Sequence, residues 1–489
     1  MTVRRIRHLV APTAATALLV LAGCSSSTGG RTPSPSASPS PTRSGSAEAT
    51  PCVQTWKLTA ALVPSGDAQA DTSLAAVAAL SPDDVWAVGW TGAQSQPGQA
   101  AAPTQTLAEN WNGTSWKIVD VPDAGNAAAL GGDRLTAVAA VAPDDIWAVG
   151  YVGVPFSYWQ PFQSGETSTP EPQVQTLIEH WNGEAWSIVD APDVADLNGL
   201  SGWDELTGVA AISADDVWAV GVTLWPVNSN LDEPAAQPLI EHWNGTAWSL
   251  ATPADPEAPP PAWSMAANSF FGPSGAAAVG SAALMGVAAT SSTDVWAVGG
   301  YETDMGLTSY SPSPWETLTE HWNGTSWSVV PAPDATLPEP LTGGSTEPDD
   351  LLTAAAEAPG GNVWAVGGAM PGSALTLRLG VGFGTASFAG WQLVPSLAVT
   401  TVESRGEAPV PASVTVSLTG GLSPLAGVVT LSASDAWAVG AVILHWDGTS
   451  WQPQYTVNGQ PFDYLTGVAA GSGSLWAVGG TSIVHATCA

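Results

Sequence analysis

The tetrapeptide Trp-Ala-Val-Gly occurs seven times, with its tryptophan at Trp86, Trp147, Trp218, Trp296, Trp364, Trp437 and Trp476. Such self-similarity constrains a fold more than composition does, because each copy must bury its apolar face against the next. Upstream of each copy lies a short apolar run, such as LAAVAAL, LTGVAAI or LTGVAAG. Turns such as SPDD, APDD or SADD, rich in turn-setting residues, join several of these runs to the tetrapeptide. Five copies are followed by a second unit: TLAENWNGTSW, TLIEHWNGEAW, PLIEHWNGTAW, TLTEHWNGTSW and VILHWDGTSW. Asn-Gly or Asp-Gly between apolar runs is a strong hairpin signal. Each repeat therefore reads as four strands, a to d, typified by LTGVAA, DVWAVG, TLIEHW and WSIVDAP.

Every position of VWAVG is apolar, so both faces of strand b must be covered. Four-stranded sheets buried on both faces suit radial packing about an axis. A linear stack would need polar caps at its ends, and none is evident. The expected fold class is all-β: a seven-bladed β-propeller of four-stranded antiparallel blades over residues 51–489. The seventh copy supplies strands a, b and c (LTGVAAG, LWAVGG, SIVHAT) and no strand d. The segment CVQTWKLTAALVPSG carries Trp56 where a strand-d tryptophan belongs, so the N-terminal strand is expected to complete the last blade.

These residues resemble the kelch repeat. Its pattern is a hydrophobic strand ending in Gly-Gly, an aromatic-containing strand, and a tryptophan on the last strand. Here the Gly pair is complete at Gly299-Gly300, Gly367-Gly368 and Gly479-Gly480. Strand c carries His-Trp where kelch repeats usually carry tyrosine. The NGTSW turn is also similar to the Asp-box of sialidase propellers, one residue short. The resemblance implies the propeller and little about activity, because propellers host many functions.

Residues 1–23 pair a basic start, MTVRRIRH, with a short apolar run, the pattern of an export signal. It ends in Leu21-Ala22-Gly23-Cys24, which resembles the bacterial lipobox and implies lipidation at Cys24. Residues 24–50 are rich in Ser, Pro, Gly and Thr, cannot bury an apolar face, and are expected to be a disordered tether. The expected location is the outer face of the bacterial cytoplasmic membrane, with the lipid as the membrane partner. Beyond residue 50 only five Lys and Arg face 42 Asp and Glu, a balance of −37. Such a body repels phosphate backbones and excludes nucleic acid as a partner. The acidity itself serves solubility.

The remaining cysteines are Cys52 and Cys488. Aligning His485 with His445 sets Cys488 at the place of Gly448; aligning Trp56 with Trp451 sets Cys52 at the place of Asp447. The two would then stand where other blades have their c–d turn, close enough for a disulfide in an oxidising location. Two free thiols or an intermolecular bridge are the alternatives.

His180, His242, His321 and His445 share one slot on strand c, and His485 is their counterpart in the seventh copy. A residue repeated around a ring is expected to be structural. The same holds for 19 of the 25 tryptophans, assigned to the inter-blade core. Asp83-Asp84, Asp144-Asp145 and Asp215-Asp216 read as turn formers, with calcium ligation as a weaker alternative. The aromatics outside the repeat fall in b–c and d–a connections, which emerge on one face. Candidate ligand contacts there are Tyr151, Tyr158, Trp159, Trp225, Tyr301, Tyr310 and Trp315. Aromatics among acids and amides suit a sugar, cell-wall polymer, peptide or protein ligand, though loops packing on one another would look the same.

Catalytic signals are sparse. A sialidase clamp would have to draw on Arg134, Arg378 and Arg405. A glycoside-cleaving acid pair would come from Glu166, Asp232, Glu233, Glu302 and Asp304, and no spacing selects one. No catalytic residue, metal site or cofactor is assigned. The expected function is a monomeric, non-catalytic binding module, with a carbohydrate-active enzyme on the same face as the alternative.

Overall fold

The computed structural model describes residues 56–64, 70–93, 103–124, 131–153, 174–194, 203–225, 235–254, 282–302, 315–332, 349–358, 361–370, 373–379, 392–394, 424–454 and 462–487. These residues form seven four-stranded antiparallel sheets, and no α-helix occurs among them. In six sheets the strands lie in chain order, a to d. The first strands are Ala70–Ser81, Asp133–Ala142, Trp203–Ser213, Ala282–Ser291, Asp349–Ala358, Leu425–Ser432 and Gly467–Gly471. Each packs against the next and the last against the first, which makes the arrangement a closed seven-bladed propeller with strand a innermost.

The seventh sheet is composite, as expected. Lys57–Ala60 pairs with Ser482–Thr487, with Lys57 opposite His485 as Gln452 lies opposite His445. Ring closure is reinforced where the Leu74 N–H donates to Gly480 O (2.7 Å) and the Ala61 N–H to Thr481 O (2.8 Å). Cys24, Cys52 and Cys488 lie outside the described residues.

Two glycines explain the repeat chemistry. Strand a carries a bulge after its leading leucine, seen as a register shift between Leu135 and Ala137. The bulge presses the Arg134 carbonyl against strand b, where a Cβ on Gly150 would lie 1.9 Å from that oxygen. Only glycine fits, which is why the tetrapeptide ends as it does. The bulge residue itself is used: Thr136 Oγ1 donates to Val149 O (3.0 Å) and across the seam to Leu206 O of the next blade (2.7 Å). Thr207, Thr353 and Thr466 do likewise, the last reaching Leu74 O of the first blade.

The c–d turn differs from a two-residue hairpin. Trp243 pairs with Trp248, leaving a four-residue loop, Asn244-Gly245-Thr246-Ala247. Asn244 Oδ1 accepts from the Thr246 and Ala247 N–H groups (3.0 and 3.1 Å) and from Thr246 Oγ1 (2.7 Å). Gly245 takes φ +87° behind it. The asparagine side chain therefore organises the turn, and the tight hairpin that Asn-Gly signals is not needed.

The core lies in the seams. Five of the strand-b tryptophans insert between two tryptophans of the following blade: Trp147 lies 5.0 Å from Trp243 and 5.4 Å, edge-on, from Trp248. Trp86, Trp218, Trp364 and Trp476 repeat this, the last against Trp111 and Trp116 of the first blade. At the fourth seam Trp296 shares a core cluster with Leu375, Leu377 and Leu379 of the fifth blade.

Candidate functional site

The a–b turn end of the propeller repeats one polar network. Asp145 Oδ1 accepts from Trp147 Nε1 (3.1 Å) and lies 2.8 Å from His180 Nε2, while the indole and imidazole stack 4.3 Å apart. Asp216–His242, Asp294–His321 and Asp435–His445 form the same pair at 2.8 to 3.0 Å. The remaining blades vary the pair. Asn110 donates to Asp84 (3.0 Å); Arg378 donates to Asn362 (3.3 Å); His485 stacks on Trp476, whose indole N–H donates to Ser474. The second aspartate of each Asp-Asp turn is thus a histidine or asparagine acceptor as well as a turn residue. An open cleft of about 500 Å³ lies here, lined by Asp144, Asp145, Trp147, His180, Ala214 and Trp243. Its imidazole and carboxylate are already bonded to one another. Among the described residues no three His, Cys, Asp or Glu side chains are grouped to hold a metal ion.

The other end, where b–c and d–a connections leave, is not repetitive. Arg134, which begins the innermost strand of blade two, places its guanidinium 4.4 Å over the Trp90 ring of blade one. Tyr151, opposite Arg134 across the strand pair, is 6% exposed. Burial pushes its phenol up to about 12, against the charge and hydrogen bond of Arg134, so the hydroxyl stays protonated. Tyr301 donates its hydroxyl to Glu316 Oε2 (2.8 Å). Trp203 and Trp315, half-buried, pack on Val222, Ala236 and Ala283. Trp225 ends the second strand of blade three. Tyr158, Trp159 and Tyr310 lie outside the described residues, as do Arg405, Glu166, Asp232, Glu233 and Asp304. The structure therefore brings Trp90, Arg134 and Tyr151 into one constellation across the first seam, and Tyr301, Glu316 and Trp315 into blade four.

One set of charged residues was not singled out from the sequence. The residue before the strand-c histidine slot is Glu109, Glu179, Glu241 and Glu320 in blades one to four, and each side chain is fully buried. Glu109 accepts from the Leu62 N–H and Glu320 from the Ala254 N–H, both at 2.8 Å. Asp133 and Asp204, buried at the start of strand a, accept from the N–H groups of Ala124 and Val194. The sequence signal was the glutamate of TLIEHW, which repeats as faithfully as the histidine beside it.

No family model matches the chain, and no curated protein sequence matches it. Solved propellers are similar in fold. YCF48 bound to D1 peptide is 12% identical, with 91% of this chain and 100% of that chain covered and a TM-score of 0.46. Virginiamycin B lyase from Staphylococcus aureus is 10% identical, with 89% and 100% covered and a TM-score of 0.44. The WD40 propeller domain of Doa1 is 11% identical, with 89% and 97% covered and a TM-score of 0.42. Identities this low bear on fold alone.

Proposed function

We propose that the chain is an exported lipoprotein, anchored through Cys24, whose kelch-like propeller is a non-catalytic binding module for a glycan, peptide or protein. Recognition is assigned to the face of the b–c and d–a connections. The observation that carries this reading is the contrast between the two ends. At the a–b turn end the chemistry repeats and its polar atoms are bonded to one another. At the other end the residues are singular: an arginine on a tryptophan, a buried tyrosine beneath it, and half-buried tryptophans in blades three and four. An aromatic and cationic patch of that kind provides stacking and a charged contact for a polar ligand.

The test is a glycan, cell-wall-polymer and peptide array probed with the full chain. Retention that weakens in the Arg134→Ala and Trp315→Ala variants supports the proposal. Turnover of an arrayed glycan, abolished by a single acidic substitution, would replace it with a carbohydrate-active enzyme. Fractionation of a Cys24→Ser variant tests the anchor, and unchanged membrane retention would remove it.

A further inference from the structure

The buried glutamates of strand c each accept a backbone N–H in blades one and four and none in blades two and three, and one residue type explains the difference. The donor to Glu109 is Leu62, six residues after the strand-d tryptophan Trp56; the donor to Glu320 is Ala254, six residues after Trp248. At the same distance after Trp116 and Trp186 stand Pro122 and Pro192, which have no N–H to give. Both carboxylate oxygens of Glu179 and of Glu241 accordingly lack a hydrogen-bond partner.

Each orphaned glutamate also faces other acids. Glu179 feels the charges of Asp133, on the first strand of its own blade, and of Asp123, on the connection from blade one. Glu241 feels Asp204 and Asp193 in the same two places. Among the described residues no cation acts on either. Asp123 is held by Gln105 and Thr106. Asp133 and Asp204 take the N–H groups of Ala124 and Val194. In each seam the donors, an amide N–H in both and the Thr223 hydroxyl beside Asp204, go to the buried Asp, and none is left for an ionised Glu.

We propose that the seams of blades one–two and two–three are each closed by a proton: Glu179 and Glu241 are carried as neutral carboxylic acids beside Asp133 and Asp204, which keep the amide donors. Burial first, then the neighbouring aspartates, raises Glu179 to about 9 and Glu241 to about 8. Between the ordinary glutamate value and these values the folded chain binds more protons than the unfolded one. Stability therefore falls as pH rises through that window and is greatest on its acidic side. The d–a connections from blades one and two, held at Ala124 and Val194 by the paired aspartates, loosen with the seams.

The experiment is thermal unfolding of the full chain from pH 5 to pH 9.5. The wild type is expected to lose several degrees of midpoint between pH 6.5 and 9.5. In the Glu179→Gln/Glu241→Gln variant, a neutral mimic, that loss should largely vanish and the midpoint at pH 9.5 should exceed the wild type's. Pro122→Ala/Pro192→Ala, which restores an N–H where blade four has one, should flatten the slope from the other side. Glu184→Gln, on the exposed turn of blade two, should leave it unchanged. Infrared spectra of the wild type at pH 7 should keep a buried carboxylic-acid band that the Gln variant loses, a readout that survives if the proline variant fails to fold. An unaltered slope in the Gln variant, or no such band, overturns the proposal. So does a midpoint that falls with chelator and rises with calcium, which would put a cation where the proton is assigned.

Discussion

A single aspartate oxygen does two things at the mouth of blades two, four and six. Asp145 Oδ1 holds the Trp147 indole and the His180 imidazole together, which fixes the tryptophan's angle as it enters the next blade. Removing the acceptor strands both donors, so Asp145→Ala should cost about 3 kcal/mol in chemical denaturation, whereas His180→Asn should cost about 1 kcal/mol. The milder figure follows from blade one, where Asn110 fills the same slot and reaches Asp84. A loss below 1 kcal/mol for Asp145→Ala would mean that the tryptophan needs no such anchor. At this scale the sequence was partly legible. Repetition marked the histidines as structural, and their aspartate partners sat in plain view as turn residues. The glutamates were missed for a physical reason. A charge inside a strand normally reads as a solvent-facing position, and only the seam turns it inward. The proline that orphans two of them sits in the preceding repeat, so no single blade displays the cause.

The strand pairs were the most legible elements, because apolar runs on both faces of strand b admit few arrangements. Blade five was the least legible. Its third strand, Ser373–Leu379, has Arg378 in the histidine slot, and its fourth is reduced to Gln392–Leu393. Arg378 compensates by lying beside the paired Trp364 and Trp446 rings, 5.4 and 5.7 Å from their centres. The c–d turn was located correctly and its form was not, since Asn-Gly alone does not reveal that a side chain will cap the loop. Asn244→Ala removes three bonds and should lower stability by about 1–2 kcal/mol, while Asn244→Asp should be tolerated at neutral pH. Blade six already uses Asp447 here, and hydrogen bonds from Thr449 and Ser450 hold its carboxyl down to about 2. A depressed value gives stability that is present above the ordinary aspartate range and lost as pH falls toward 2. Asn244→Asp should therefore unfold at a higher pH than wild type in an acid titration; coincident curves would deny the cap any role.

At the scale of the whole molecule, closure rests on a short strand pair whose register follows from two alignments of the repeats. Lys57 opposite His485 keeps the frame that sets Cys52 and Cys488 at the missing c–d turn. The disulfide itself is a proposal. It would close a loop of nearly the whole domain, which by chain entropy contributes roughly 5 kcal/mol or more. A non-reduced digest should give one peptide pair joining the two residues; separate, alkylatable peptides would dismiss it. The candidate site was legible as a face and not as a set of contacts, because loops outside the repeat carry no periodicity to align. The interlocked tryptophans have a further consequence, an optical one. Indoles held 5 to 6 Å apart at fixed angles couple as chromophores, and among the described residues six seams contain such contacts. The circular dichroism of the tryptophan transitions is therefore a gauge of seam closure.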